Sequence, residues 1–328
     1  MKSLFILKDT IRTSLLISLI LLVNVSCQAK DKSTIKNGIS AKEVISKIKK
    51  QKQAIYKDCI ITGKIDFTQV SDLTMIGSGH LEAEVSVPVV FINCIFLDSV
   101  TSMGSYSNST VTTRFLRQVV FEDCDFRSNI NLENSIFEYP VNLAYSKFSK
   151  SIVLSGSEFK SEQVYLNKIS ALSKCNLQNC RFHGDLYLND SQFEDKLSLQ
   201  EATIENNLYA SNLQCKGAID LSLVRVEGRT LLNYLHASTS VLISNAQFRS
   251  GIEIIEGKID GSLFFKDNMI FKNIKLNNTK VEDLIDLTGS LFMGQDIELK
   301  GLSSNKRNWQ GMIGEVRSFT DRRIEQNN

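Results

Sequence analysis

The residues able to carry chemistry are few and far apart. The chain of 328 residues holds three histidines and seven cysteines. His80, His183 and His236 stand singly, and no HxH, HExxH or CxxC spacing places metal ligands together. Cys59, Cys94, Cys124, Cys175, Cys180 and Cys215 sit among apolar neighbours, the usual setting of a buried free thiol. No cofactor and no metal is therefore expected. Catalysis, if present, would rest on paired carboxylates or on a serine-rich loop.

The seventh cysteine, Cys27, has a different setting. Before it come Lys2, Lys8 and Arg12, then the apolar run LLISLILLV at 15–23, then Ser26. A membrane-spanning helix needs about 20 apolar residues, so 1–26 reads as a signal peptide. Without those residues the chain has 38 − 3 = 35 basic and 36 − 1 = 35 acidic side chains. A neutral chain has no global electrostatic reason to seek nucleic acid, and none is expected as a partner. The tail VNVSC resembles a bacterial lipobox, with Asn24 where Leu is usual. The resemblance implies cleavage before Cys27 and a lipid anchor on it. Gln28 in place of Asp implies the outer membrane, on its periplasmic or its surface face.

Residues 27–39 read as a tether and 40–54 as a capping helix. Ser40 and Glu43 make a capping box, and Val44, Ile45 and Ile48 share one face. Lys47, Lys49, Lys50 and Lys52 gather near its end, where the helix dipole favours cations. They read as a solvated helix end, with lipid phosphates as the functional alternative.

A repeat governs the rest. FRSNINLENSI, FEYPVNLAYSK and FSKSIVLSGSE follow one another at 126–158. The first place is Phe, the fifth Ile or Val, the seventh Leu and the tenth mostly Ser. With one inserted residue between 159 and 164, the pattern runs on to Phe292. Eleven is also a right-handed coiled-coil period. Residues two apart share a strand face and not a helix face, however, and Gly184, Gly217, Gly228, Gly261 and Gly294 would be costly inside helices. Two elevens make one four-sided coil of about 22 residues, with coils stacking at about 4.8 Å.

SerLysPhe at 146–148, SerGluPhe at 157–159, SerGlnPhe at 191–193 and AlaGlnPhe at 246–248 closely resemble the motif of the pentapeptide repeat family. The resemblance covers roughly 55–296. It implies an all-β fold, a right-handed quadrilateral parallel β-helix. The solenoid is expected over 55–298, with 97–118, rich in Ser and Thr, as a loop or hairpin inserted between equivalent turns. Open β-helix ends need covers. The 40–54 helix serves one end. Residues 299–328, with Trp309, Met312, Ile313, Val316 and Phe319 at helical spacing, form the expected cap and tail at the other. Cys94 and Cys124 are equivalent on successive coils, within reach of a disulfide.

The coil pattern sorts outward residues into columns. One column carries Tyr165, Tyr187, Tyr209 and Leu231, an apolar ladder that could dock a protein, stack on a glycan or pair two copies into a homodimer. Stacked Tyr that merely stabilises a sheet is the bland reading. The adjoining column carries Asp220 and Asp286, three coils or about 14 Å apart and too distant for an acid–base pair. The expectation is a non-catalytic, lipid-anchored scaffold of the bacterial cell envelope. An envelope glycan-active enzyme, using 97–118 or the Tyr column, is the rival. Some family members imitate DNA, which needs a strongly acidic surface that this chain lacks.

Overall fold

The computed structural model describes residues 37–294 and 296–308. The expected signal peptide, Cys27, most of the expected tether and Trp309 to Phe319 of the expected cap lie outside the described residues.

Four short strands make each coil. Asp125–Phe126, Ile130–Asn131, Ile136–Phe137 and Val141–Asn142 form one coil, and Lys147–Phe148 begins the next. Each pairs in parallel with its equivalent on the neighbouring coil, as Phe126 with Phe148, Ile130 with Ile152 and Phe115 with Phe137. The faces are numbered here in that order. Faces one and two join in a sheet of 21 strands, while face three has 12 and face four 11. The result is an all-β parallel solenoid whose turn length matches the doubled repeat of eleven.

The repeat explains itself in the interior. First-place Phe rings stack along the solenoid on two faces. Phe96, Phe126 and Phe148 lie 4.5 and 4.9 Å apart on face one. Phe115, Phe137, Phe159 and Phe182 follow at 4.9, 4.9 and 4.8 Å on face three. All of these rings are fully buried. The tenth place is small because it must also serve the backbone. Ser157 Oγ accepts the Ser135 N–H at 3.0 Å and donates to the Leu132 carbonyl at 2.8 Å. Ser146, Ser191 and Ser290 repeat this device elsewhere along the solenoid.

The period of eleven is also the period of a corner. Asn134, Tyr145, Lys168, Asn179, Asp190, Glu201 and Asn212 all have φ between +52° and +62°. Gly156 continues the series at φ +68°. This left-handed corner, the ninth place, occurs twice per coil. The third-place glycines answer a different need: a Cβ on Gly184 would sit 2.1 Å from the Glu162 carbonyl oxygen of the coil beside it.

Two coils are longer than the rest. Ala54 pairs with Val89, and Val89 with Val119, where regular partners such as Val119 and Val141 stand closer in sequence. The first excess forms the hairpin of Thr74–Gly77 and His80–Val85, the second that of Gly104–Tyr106 and Ser109–Phe115. The segment 97–118 is thus not a loop apart from the solenoid. It supplies Val100–Thr101 to face two and Phe115 to face three. Only the hairpin tip is extra, because Val111, Thr113 and Phe115 alternate inward and Thr113 Oγ1 donates to the Ser102 carbonyl at 2.7 Å.

The N-terminal helix, α1, is Ala41–Lys49. Ser40 caps it, accepting the Glu43 N–H at 3.2 Å. Ala41, Val44 and Ile48 join the core, while Ile45 is half-buried. At the other end the ladder does not stop at 298. Ser303–Asn308 pairs with Lys280–Asp286 across a register shift, and Leu299 and Leu302 are buried.

Candidate interaction face

Face four carries the predicted column. Val164, Leu186, Leu208 and Thr230 point inward and are buried, so alternation sends Tyr165, Tyr187, Tyr209 and Leu231 outward. The Tyr165 and Tyr187 rings lie 5.1 Å apart at 16°, and Tyr187 and Tyr209 lie 4.9 Å apart at 15°. All four side chains are half-buried. The rings cover one another's faces, leaving edges and hydroxyls toward solvent.

The hydroxyls of the first two rings are held. Tyr187 donates to Asp185 Oδ2 at 3.1 Å and Tyr165 to Gln163 Oε1. Asp185 Oδ1 in turn accepts the backbone and side-chain N–H groups of Asn207, both at 2.9 Å. Burial raises the pKa of Tyr165, and burial together with Asp185 pushes that of Tyr187 up to about 12. Both stay protonated donors at neutral pH.

The column is longer than the sequence reading had it. Register carries it back from Tyr165 through Asn142 to Val120, Val90 and Ile55. Ile55 is 52% exposed. The column from Ile55 to Leu231 is broken by Asn142 and is buried at Val90, which is 8% exposed, and it runs roughly 34 Å at about 4.8 Å per coil. Beyond Leu231 it turns charged and paired: Glu253 meets Arg229 at 3.0 Å, and Lys275 meets Glu298 at 2.8 Å. Ile55, Val90 and Val120 were missed because the two long coils break the count. FINCIF at 91–96 and FEDCDF at 121–126 share the order Phe, two residues, Cys, one residue, Phe, and held the signal, since Val90 and Val120 directly precede Phe91 and Phe121.

The corners of this face add further rings. Tyr139, Tyr145 and Tyr234 are 48%, 45% and 56% exposed. Tyr145 and Tyr234 hold φ of +62° and +57°, a conformation that costs a bulky side chain about 1–2 kcal/mol. Six of the chain's eight tyrosines therefore line the outside of face four or its corners.

The residues weighed for catalysis have other duties. Asp220 Oδ1 accepts the Ser222 N–H at 3.1 Å, and Asp286 Oδ1 the Thr288 N–H at 3.0 Å. Asn131, Asn142 and Asn176 make the same turn to the residue two places on. The outward sixth place is a turn-capping place, and Asp fills it as Asn does. His183 is not alone, as expected of it, but sits between Glu158 at 2.8 Å and Glu205 at 3.0 Å, with Arg181 also on Glu205 at 2.6 Å. His236 meets Asp260 at 3.3 Å, and His80 lies on the first hairpin. Among the described residues no group of three His, Cys, Asp or Glu side chains could hold a metal ion.

The six described cysteines are free and buried. Cys59, Cys94 and Cys124 occupy the same inward place on three successive coils. No described helix is long and apolar enough to cross a membrane. No family model, no curated protein and no solved structure matches the chain.

Proposed function

We propose that the chain is a non-catalytic scaffold of the bacterial cell envelope, a pentapeptide repeat solenoid tethered by lipid on Cys27, whose face four docks a partner protein. The observation that carries this is the apolar column from Ile55 to Leu231, backed by the corner tyrosines. A column of half-buried apolar side chains flanked by exposed tyrosines, on a rigid surface, is suited to docking another protein. The ring stacking favours a protein over a glycan. Sugars bind to open ring faces, and here those faces are turned toward each other.

The enzyme reading loses its carboxylates to turn caps and ion pairs and its loop to the solenoid. The lipobox resemblance supports the envelope setting, and the neutral mature charge speaks against a DNA-mimicking role.

The test is a photoreactive residue placed at Tyr187 in living cells, with Lys147 of face one as control. One defined protein adduct from position 187 and none from 147 supports docking. The same adducts from both positions, or a glycan adduct alone, reject it. Protease shaving of intact and opened cells then tells the surface face from the periplasmic one. Cys27→Ala should release the chain from the membrane fraction.

A further inference from the structure

We infer that the basic dent beside α1 is a site for the headgroup of an anionic phospholipid. This rests on the anchored reading above and adds a second contact to it.

The dent has a volume of about 460 Å³. Lys42, Ile45 and Lys49 line it from one side of α1, a spacing that puts them on a common face. Lys50, at the helix end, and Lys64, from the first coil, complete the cationic wall. One carboxylate, Asp66, faces these four lysines, and it is fully engaged. It accepts Lys64 Nζ at 3.0 Å, Thr68 N at 3.1 Å, Thr68 Oγ1 at 2.6 Å and Gln69 Nε2 at 3.3 Å. Among the described residues Lys42, Lys49 and Lys50 have no acidic partner.

This excess of cations is local, because the mature chain is neutral. Ile45 is half-buried and gives the dent an apolar side. A phosphate beside an apolar wall is the chemistry of a phospholipid at the membrane boundary. Free phosphate would use the lysines and leave Ile45 idle. Position agrees with this. The ten residues from Cys27 to Lys36 reach at most about 35 Å, so a lipid on Cys27 keeps the dent close to the bilayer. A polybasic patch beside the bilayer adds about 1 kcal/mol of attraction to anionic lipid per lysine.

The test uses the unlipidated chain from Gln28 onward, which keeps every described residue. It is mixed with vesicles of phosphatidylcholine, alone or with phosphatidylglycerol. Binding to the mixed vesicles only, weakened by salt, is expected. Replacing Lys42, Lys49 and Lys64 with Gln should lower binding about a hundredfold, at about fivefold per lysine. The same charge change at Lys147, Lys258 and Lys280 on face one should leave it unchanged. Equal binding to both vesicles, or equal loss from both triple variants, overturns the inference. Release by inorganic phosphate at constant ionic strength overturns the headgroup and leaves a small-anion site. Membrane release of the Cys27→Ala chain in cells reads the anchor separately.

Discussion

The sulfurs of Cys59 and Cys94 lie 3.3 Å apart, on neighbouring coils at the same inward place. Cys124 continues the column, its thiol in contact with the Phe91 carbonyl. The hydrogen bond to Cys94 and burial push the Cys59 thiol up, and burial pushes Cys124 up. Burial also raises Cys180 to about 12 and Cys215 to about 11. Cys59, Cys124, Cys180 and Cys215 therefore stay protonated, and protonated thiols are poor nucleophiles. In the folded chain at pH 8, a thiol reagent should label them only as fast as the fold opens. Labelling of Cys180 or Cys215 within minutes, with circular dichroism unchanged, contradicts this.

Tyr187 is stacked on both sides, so it should be the most sensitive rung. Tyr187→Ala removes two ring contacts and should cost about 1–3 kcal/mol in urea unfolding. Tyr187→Phe keeps the stack and loses only the bond to Asp185, a cost of about 1 kcal/mol or less. If stability alone explains the column, partner cross-linking from a photoreactive residue at position 209 should be equal in the Tyr187→Phe variant and the parent. A large loss of cross-linking with little loss of stability marks the hydroxyl as part of the docking surface.

Ser157 tests the tenth place. Ser157→Ala strands the Ser135 N–H and the Leu132 carbonyl, and should cost about 2–4 kcal/mol. Ser157→Cys should cost less, because Cys180 holds the next tenth place on that corner and contacts the Leu154 carbonyl at 3.0 Å. Chemical denaturation ranks the three proteins, and an Ala variant as stable as the parent removes the pinning role.

Acid should loosen the solenoid through its paired carboxylates. Burial by itself would raise the pKa of Asp220, but hydrogen bonds from Lys196 and Ser222 outweigh it and lower the value. A lowered carboxyl pKa gives stability that is present above the unfolded value, about 3.9, and is lost as pH falls through the folded value. Glu138 and Glu205 are lowered as well. For Glu138 burial opposes the shift and Lys160 outweighs it, while Glu205 is lowered mainly by Arg181. Stability should hold from pH 7 to 5 and fall below about 4. Asp220→Asn keeps the turn to Ser222 while losing the Lys196 pair, so its acid loss should be shallower. An identical slope in both proteins rejects the assignment.

The sequence disclosed the fold because every coil asks the same of the same place. Phe126, Ile130, Leu132 and Ser135 are each fully buried, and their spacing of 4, 2 and 3 admits strands and corners but not a helix. The Tyr165–Tyr187–Tyr209 column followed from counting by whole coils. What escaped was whatever breaks the count or leaves no apolar mark. Residues 71–88 hold a hairpin that no period announces. The ninth place admits Asn134, Tyr145, Lys168 and Glu201 alike, since a corner constrains φ and not hydropathy. The dent beside α1 joins Lys42 and Lys49 to Lys64 across a fold contact that local pattern does not encode.

Register also makes the solenoid divisible. Tyr165, Tyr187 and Tyr209 succeed one another coil by coil, each at the same point of its turn. Excising 186–207 would join Asp185 to Leu208 without altering any column's order of faces. Tyr165 would then rest directly on Tyr209. Duplication of the same stretch would add a rung. The apolar column is in that sense a ruler, whose length can be changed by whole turns while its chemistry at each mark stays fixed.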